Sequence, residues 1–102
     1  MLAELRTYTL TADGREPMLR QFEEVSRPIF ADIGIVVHGP WLRSLKKGEV
    51  FVYVAEFDSP DDRDAKWAAF REHPDWVQAQ AREAASGSPG PIAAMETVEL
   101  SR

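Results

Sequence analysis

The sequence has no cysteine. Disulfides, thiolate nucleophiles and cysteine-held zinc or iron–sulfur centres are therefore excluded, and the absence fits an expected cytoplasmic location. Only two histidines occur, His38 and His73. Neither stands at ligand spacing from the other or from the scattered acids, so no metal site is expected. No basic stripe is present, and 12 Lys and Arg stand against 17 Asp and Glu for a net charge of -5. Such a surface does not neutralise phosphates, which argues against nucleic-acid binding. The same surplus of acid disfavours docking on anionic membranes. No apolar run approaches the length of a bilayer span, so no membrane insertion is expected. The opening MLAELRTYTL lacks a basic start followed by an apolar stretch, and no secretory leader is expected. Gly-rich phosphate loops, a nucleophile elbow and a catalytic triad pattern are also missing, and no cofactor is expected.

What is present is one ordinary globular domain over residues 1–102, 44% hydrophobic and 28% charged. Residues 2–10 alternate, with Leu2, Glu4, Arg6, Tyr8 and Leu10 on one face and Ala3, Leu5, Thr7 and Thr9 on the other. Period two predicts a strand. A helix follows, with Asp13 as a possible cap and Pro17 in the first turn. Met18, Phe22, Val25 and Ile29 fall on one helical face. Pro28 lies inside that pattern, so the helix kinks or ends near Ser26.

From Gly34 a β-branched run, Ile35-Val36-Val37-His38, leads to Gly39-Pro40 and then Trp41 to Leu45. This predicts a second strand with a bend or bulge at Gly39. Lys46 to Glu49 is a hairpin turn, and Val50 to Phe57 the clearest strand. Phe51, Tyr53, Ala55 and Phe57 alternate there with Val50, Val52, Val54 and Glu56. Ser59-Pro60-Asp61-Asp62 is a helix start with cap, proline and acids in their preferred places. That helix runs to about Glu72. His73-Pro74 divides it from another over Asp75 to Ala85, a Ser/Gly/Pro loop follows, and Ile92 to Leu100 is the last strand.

The order is βαββαβ, an α+β chain of the ferredoxin-like plan with a four-stranded antiparallel sheet. Helices on one face leave the other uncovered, yet the third strand is apolar on both faces. A strand apolar on both sides is buried on both sides. A second copy is the simplest cover, so a homodimer is expected.

Three stretches resemble the NIPSNAP family: Glu4-Leu5-Arg6-Thr7-Tyr8, Gly39-Pro40-Trp41, and Val52 to Ser59 continuing through Arg63, Trp67, Phe70, Pro74 and Trp76. The last is similar to that family's strand followed by S-x-x-x-R, an aromatic-bearing helix and a D-P-x-W element. The resemblance implies a dimeric α/β barrel, with two sheets facing each other and a cavity between sheet and helices. It implies no agreed activity. Wider relatives of that fold group include cofactor-free monooxygenases and haem-degrading enzymes.

Candidate site residues follow from the same faces. Glu4, Arg6 and Tyr8 are neighbours on one strand face, where Arg6 can clamp an anion or simply pair with Glu4. His38 has the chemistry of a general base, or is a hydrogen-bonded strand-end residue. Trp41, Phe51 and Tyr53 are candidate pocket walls, while Trp67 and Phe70 at helical spacing read as core. Two functions are compatible with this set. One is a module binding a small apolar or aromatic ligand through Glu4, Arg6, Tyr8, His38, Trp41, Phe51 and Tyr53. The other is a cofactor-independent monooxygenase or cyclase acting on an aromatic substrate, with His38, Tyr8 and Arg6 as catalytic candidates. A haem-degrading role is weaker, because no Asn stands on the first strand and no axial ligand is evident.

Overall fold

The computed structural model describes residues 1–101. Strand β1 (Leu2–Leu10) leads into α1 (Arg15–Gln21), a π-helical turn (Phe22–Ser26) and α2 (Arg27–Ile33), which together form one continuous helical path. Strands β2 (Val36–Leu45) and β3 (Gly48–Phe57) form a hairpin. Helices α3 (Pro60–Glu72) and α4 (Pro74–Ser86) return the chain to β4 (Ile92–Ser101). The sheet order is β2-β3-β1-β4, with every neighbouring pair antiparallel. This is the expected α+β plan of the ferredoxin-like type.

The register fixes the two faces. Tyr8 stands between Phe51 and Met95, Arg6 between Tyr53 and Thr97, and Glu4 between Ala55 and Glu99. These side chains face the helices. The core is built there from Tyr8, Phe22, Ile29, Phe30, Phe51, Tyr53, Phe57 and Phe70. Burying a large aromatic side chain contributes roughly 1.5–3 kcal/mol, and neighbouring rings add edge-to-face contacts. Phe22 meets Phe51 at 5.1 Å between centroids and Phe30 at 5.8 Å. The opposite face carries the row Val98–Leu5–Val54–His38 and the row Glu96–Thr7–Val52–Trp41. No helix among the described residues covers it.

Two local expectations need correction. Gly14, not Asp13, occupies the cap position of α1, and no side chain caps that helix. Pro28 neither ends nor breaks the helix. It sits at the second residue of α2, just after the π-helical turn, whose wider i→i+5 bonding lets the helical path continue past a residue with no N–H to donate. The chain runs on to Ile33 and stops at Gly34, whose φ of 91° makes a left-handed cap.

The bulge in β2 lies where the sequence places it. The register shifts between His38 and Trp41, with a cis Gly39–Pro40 bond in between. Ser59 caps α3 by accepting the Asp62 N–H at 3.1 Å, and the Asp62 carboxylate accepts the Asp58 N–H in return. The Asp58 N–H, and after it the Lys66 ammonium, hold the Asp62 carboxyl below its ordinary range. His73 joins α3 to α4. Its Nδ1 accepts the Asp75 N–H at 3.1 Å, and its Nε2 lies 2.9 Å from the Asp32 carboxylate on α2. Among the described residues no helix is long and apolar enough to cross a membrane.

Candidate functional site

The helix-facing side of β1 opens into a cavity of about 350 Å³. Its floor is Arg6 and Tyr8 of β1 with Tyr53 of β3. Phe22, Ser26 and Phe30 wall one side, Trp67, Phe70 and Trp76 another, and Ile92 and Met95 of β4 line its edge. A second recess of about 220 Å³ shares Gln21, Trp76, Ile92 and Met95 with it. A larger, more open groove of about 650 Å³ lies outside, between α1 and the 86–91 loop. Asp13, Arg20, Glu24 and Glu83 line that groove, and none of them is buried. The inner cavity therefore has the stronger claim: it is apolar, with a few convergent polar groups.

Those groups form one connected set. Arg6 Nη1 donates to Glu4 Oε1 at 3.3 Å, and Trp67 Nε1 donates to the same oxygen at 2.8 Å. Arg6 Nε donates to the Tyr8 hydroxyl at 3.3 Å, and that hydroxyl lies 2.9 Å from the hydroxyl of Tyr53. The guanidinium also lies over the Trp67 ring, 4.6 Å from its centroid. Glu4 is only 7% exposed. An isolated charge buried that deeply costs several kcal/mol, so Arg6 and the indole N–H are what permit it there. Burial opposes the Arg6 charge, but Tyr53, Tyr8 and Glu4 together raise its pKa above the usual value. Tyr53 moves the same way for a different reason. Burial, reinforced by Tyr8, lifts its phenol well above the ordinary range despite the nearby guanidinium. At neutral pH the floor therefore holds a cation, its counter-charge and a protonated phenol.

The structure divides the residues that the sequence groups together. Glu4, Arg6, Tyr8, Phe51 and Tyr53 share the helix side of the sheet. Phe51 is wholly buried beneath the Tyr8 ring, 6.1 Å away and nearly parallel, and it supports the floor without lining the cavity. His38 and Trp41 lie on the other side. They pair with Val54 and Val52, whose side chains point away from the helices. His38 hydrogen-bonds Glu56 there, and Trp41 is 56% exposed. Grouping His38 with Arg6 and Tyr8 in one catalytic set therefore fails within a single chain, because the sheet stands between them. The cause is register, which the alternation of one strand does not reveal.

Trp67 and Phe70 read as core from their spacing. Phe70 is core and also cavity wall, whereas Trp67 is a polar partner of the site. A signal for Trp67 was available, since a buried Glu needs donors and a buried indole needs an acceptor. Ser26 and Phe30 escaped because the π-helical turn shifts which residues face inward. Arg63 of the S-x-x-x-R stretch bonds Asp64 and Glu99 outside the cavity. Among the described residues no three His, Asp or Glu side chains converge on a point suited to a metal ion.

The NIPSNAP family model matches residues 3–97. No curated protein matches the chain. Among solved structures, a NIPSNAP domain protein from Burkholderia xenovorans is similar at a TM-score of 0.80 and 22% identity, over 100% of this chain and 94% of that one. Protein Atu4242 from Agrobacterium tumefaciens is similar at 0.81 and 22% identity, over 99% and 92%. A Streptomyces coelicolor monooxygenase, solved in complex with nanaomycin D, is similar at 0.62 and 16% identity, over 99% and 86%. At these identities the likeness concerns the fold alone. The family match spans nearly the whole chain, and the chain belongs to the NIPSNAP family.

Proposed function

We propose that this protein is a homodimeric binding module whose inner cavity holds a small apolar or aromatic molecule. The observation that carries the reading is the cavity itself: about 350 Å³, walled by Phe30, Trp67, Phe70 and Trp76, over a polar floor of Arg6, Tyr8 and Tyr53. Flat aromatic walls favour flat ligands, and a few fixed polar atoms orient them. The dimer belongs to the same reading, supported by the apolar sheet face that no helix covers. A cytoplasmic location rests on the cysteine-free composition. A thermal-shift screen of aromatic acids, quinones and fatty acids tests the binding. A ligand present at a hundred times its Kd stabilises by about 2.7 kcal/mol, a rise of several degrees for a chain of this size. Stabilisation by ring compounds is expected, and no stabilisation by any class overturns the reading.

A second reading is a cofactor-independent monooxygenase or cyclase acting on an aromatic substrate. One observation favours it: a phenol pair backed by a half-buried guanidinium, an arrangement able to steady a developing oxyanion. The likeness to the Streptomyces monooxygenase agrees with this reading at the level of fold. It keeps Arg6 and Tyr8 and does without His38. Turnover of an aromatic substrate that survives Tyr8→Phe at full rate would remove Tyr8 from such a mechanism.

A further inference from the structure

Hydrogen counting on the cavity floor narrows the ligand class. Tyr8 and Tyr53 bring two hydroxyl hydrogens. One is spent on the bond between them, in whichever direction it runs. Arg6 Nε occupies a lone pair of Tyr8 and supplies no acceptor. Among the described residues the second phenolic hydrogen therefore has no partner, although the pair is buried. Burial keeps the Tyr53 phenol protonated at neutral pH, so this donor persists.

The charges then choose between a neutral and an anionic acceptor. The Arg6 cation is already balanced by Glu4, which is buried beside it. An anionic ligand on the tyrosines would face that carboxylate, and the other cation lining the cavity, Arg71 of α3, is solvent-exposed, where its charge is screened. A neutral carbonyl oxygen needs only the donor, and it gains from the guanidinium polarising the phenol O–H. We infer that the Tyr8–Tyr53 pair, with Arg6 behind it, is a carbonyl-recognition site, and that the cavity selects a neutral planar ring ketone or quinone. This rests on the binding reading above and adds to it the ligand's oxygen and its charge.

The test compares three ligands of similar size: 1-tetralone, tetralin, which lacks the oxygen, and the anion 1-naphthoate. Binding is read by quenching of the tryptophan fluorescence, since Trp67 and Trp76 both line the cavity. Tetralone is expected to bind about tenfold tighter than tetralin, the worth of one well-placed hydrogen bond. Tyr8→Phe and Tyr53→Phe singly each leave one phenolic hydrogen free, so each retains part of the preference. The Tyr8→Phe/Tyr53→Phe double variant is expected to lose it. Equal binding of tetralone and tetralin by the wild type, tighter binding of 1-naphthoate, or a preference that survives in the double variant each overturns the carbonyl assignment while the cavity remains a binding site. Failure of every ligand to bind overturns the binding reading with it. Should the double variant not fold, the three-ligand comparison on the wild type decides alone.

Discussion

At the residue scale, Tyr53 is the most informative side chain. Its phenol is nearly inaccessible, and burial raises its pKa well above 10.0. The linkage sign follows directly. Below the unfolded value both states hold the proton, and Tyr53 makes stability independent of pH. Above it the unfolded chain releases the proton while the folded chain retains it, so stability falls as pH rises. The fall is about 1.4 kcal/mol per pH unit until the folded phenol itself ionises. Between about pH 10 and 12, the thermal midpoint of the wild type should therefore drop several degrees more than that of Tyr53→Phe. Parallel pH profiles of the two proteins would show that Tyr53 is not held protonated. Its neighbours explain what the sequence discloses at this scale. Glu4, Arg6 and Tyr8 are legible as one face because a strand has period two. Their bonding is not, since the acceptor of Trp67 Nε1 lies 63 positions away in sequence.

At the element scale, legibility stops where regular geometry stops. All four strands and both helical crossovers can be read from pattern, capping and prolines. The first crossover departs in its middle. Met18, Phe22, Ser26 and Phe30 all line the cavity at steps of four. In an ideal α-helix each such step drifts about 40°, so three steps would carry Phe30 well off the face. The π-helical turn at Phe22–Ser26 takes up the excess and brings Ser26 inward where α periodicity places Val25. The β2 bulge is the other irregular point. Gly39 has a φ of 103°, and a Cβ there would lie 2.9 Å from the Trp41 ring and 3.2 Å from the Val52 carbonyl. Gly48 has a similar φ of 110° but open space around it. Both Gly39→Ala and Gly48→Ala incur backbone strain of about 1 kcal/mol or more, and Gly39→Ala adds the clash. Chemical denaturation should therefore rank Gly39→Ala as the less stable of the two by about 1 kcal/mol or more. Equal losses would mean that the Trp41 ring moves aside freely.

At the scale of the whole molecule, the proposed dimer is decided by the uncovered sheet face. Leu5 and Val54 stand at its centre, paired with each other across β1 and β3. Val36, Trp41, Val98 and Leu100 surround them, each at least 40% exposed in the single chain. Thr7, Glu96 and the His38–Glu56 pair interrupt this apolar set, and so many exposed apolar side chains on one face mark an interaction surface. Its two-fold self-contact would bury β3 on both sides, as its valines on one side and aromatics on the other require. The acid-rich surface elsewhere limits further association, which favours a closed pair over a fibre. Light scattering at micromolar concentration should give twice the 11.5 kDa chain mass. Leu5→Glu places a charge at the centre of the face, where a seam cannot solvate it but a monomer can. That variant should scatter as a single chain and stay folded, because Leu5 points away from the helix-side core. A wild-type mass of one chain would end the dimer proposal. A Leu5→Glu protein that keeps the doubled mass would move the seam to another surface and leave the valine face of β3 without an explanation.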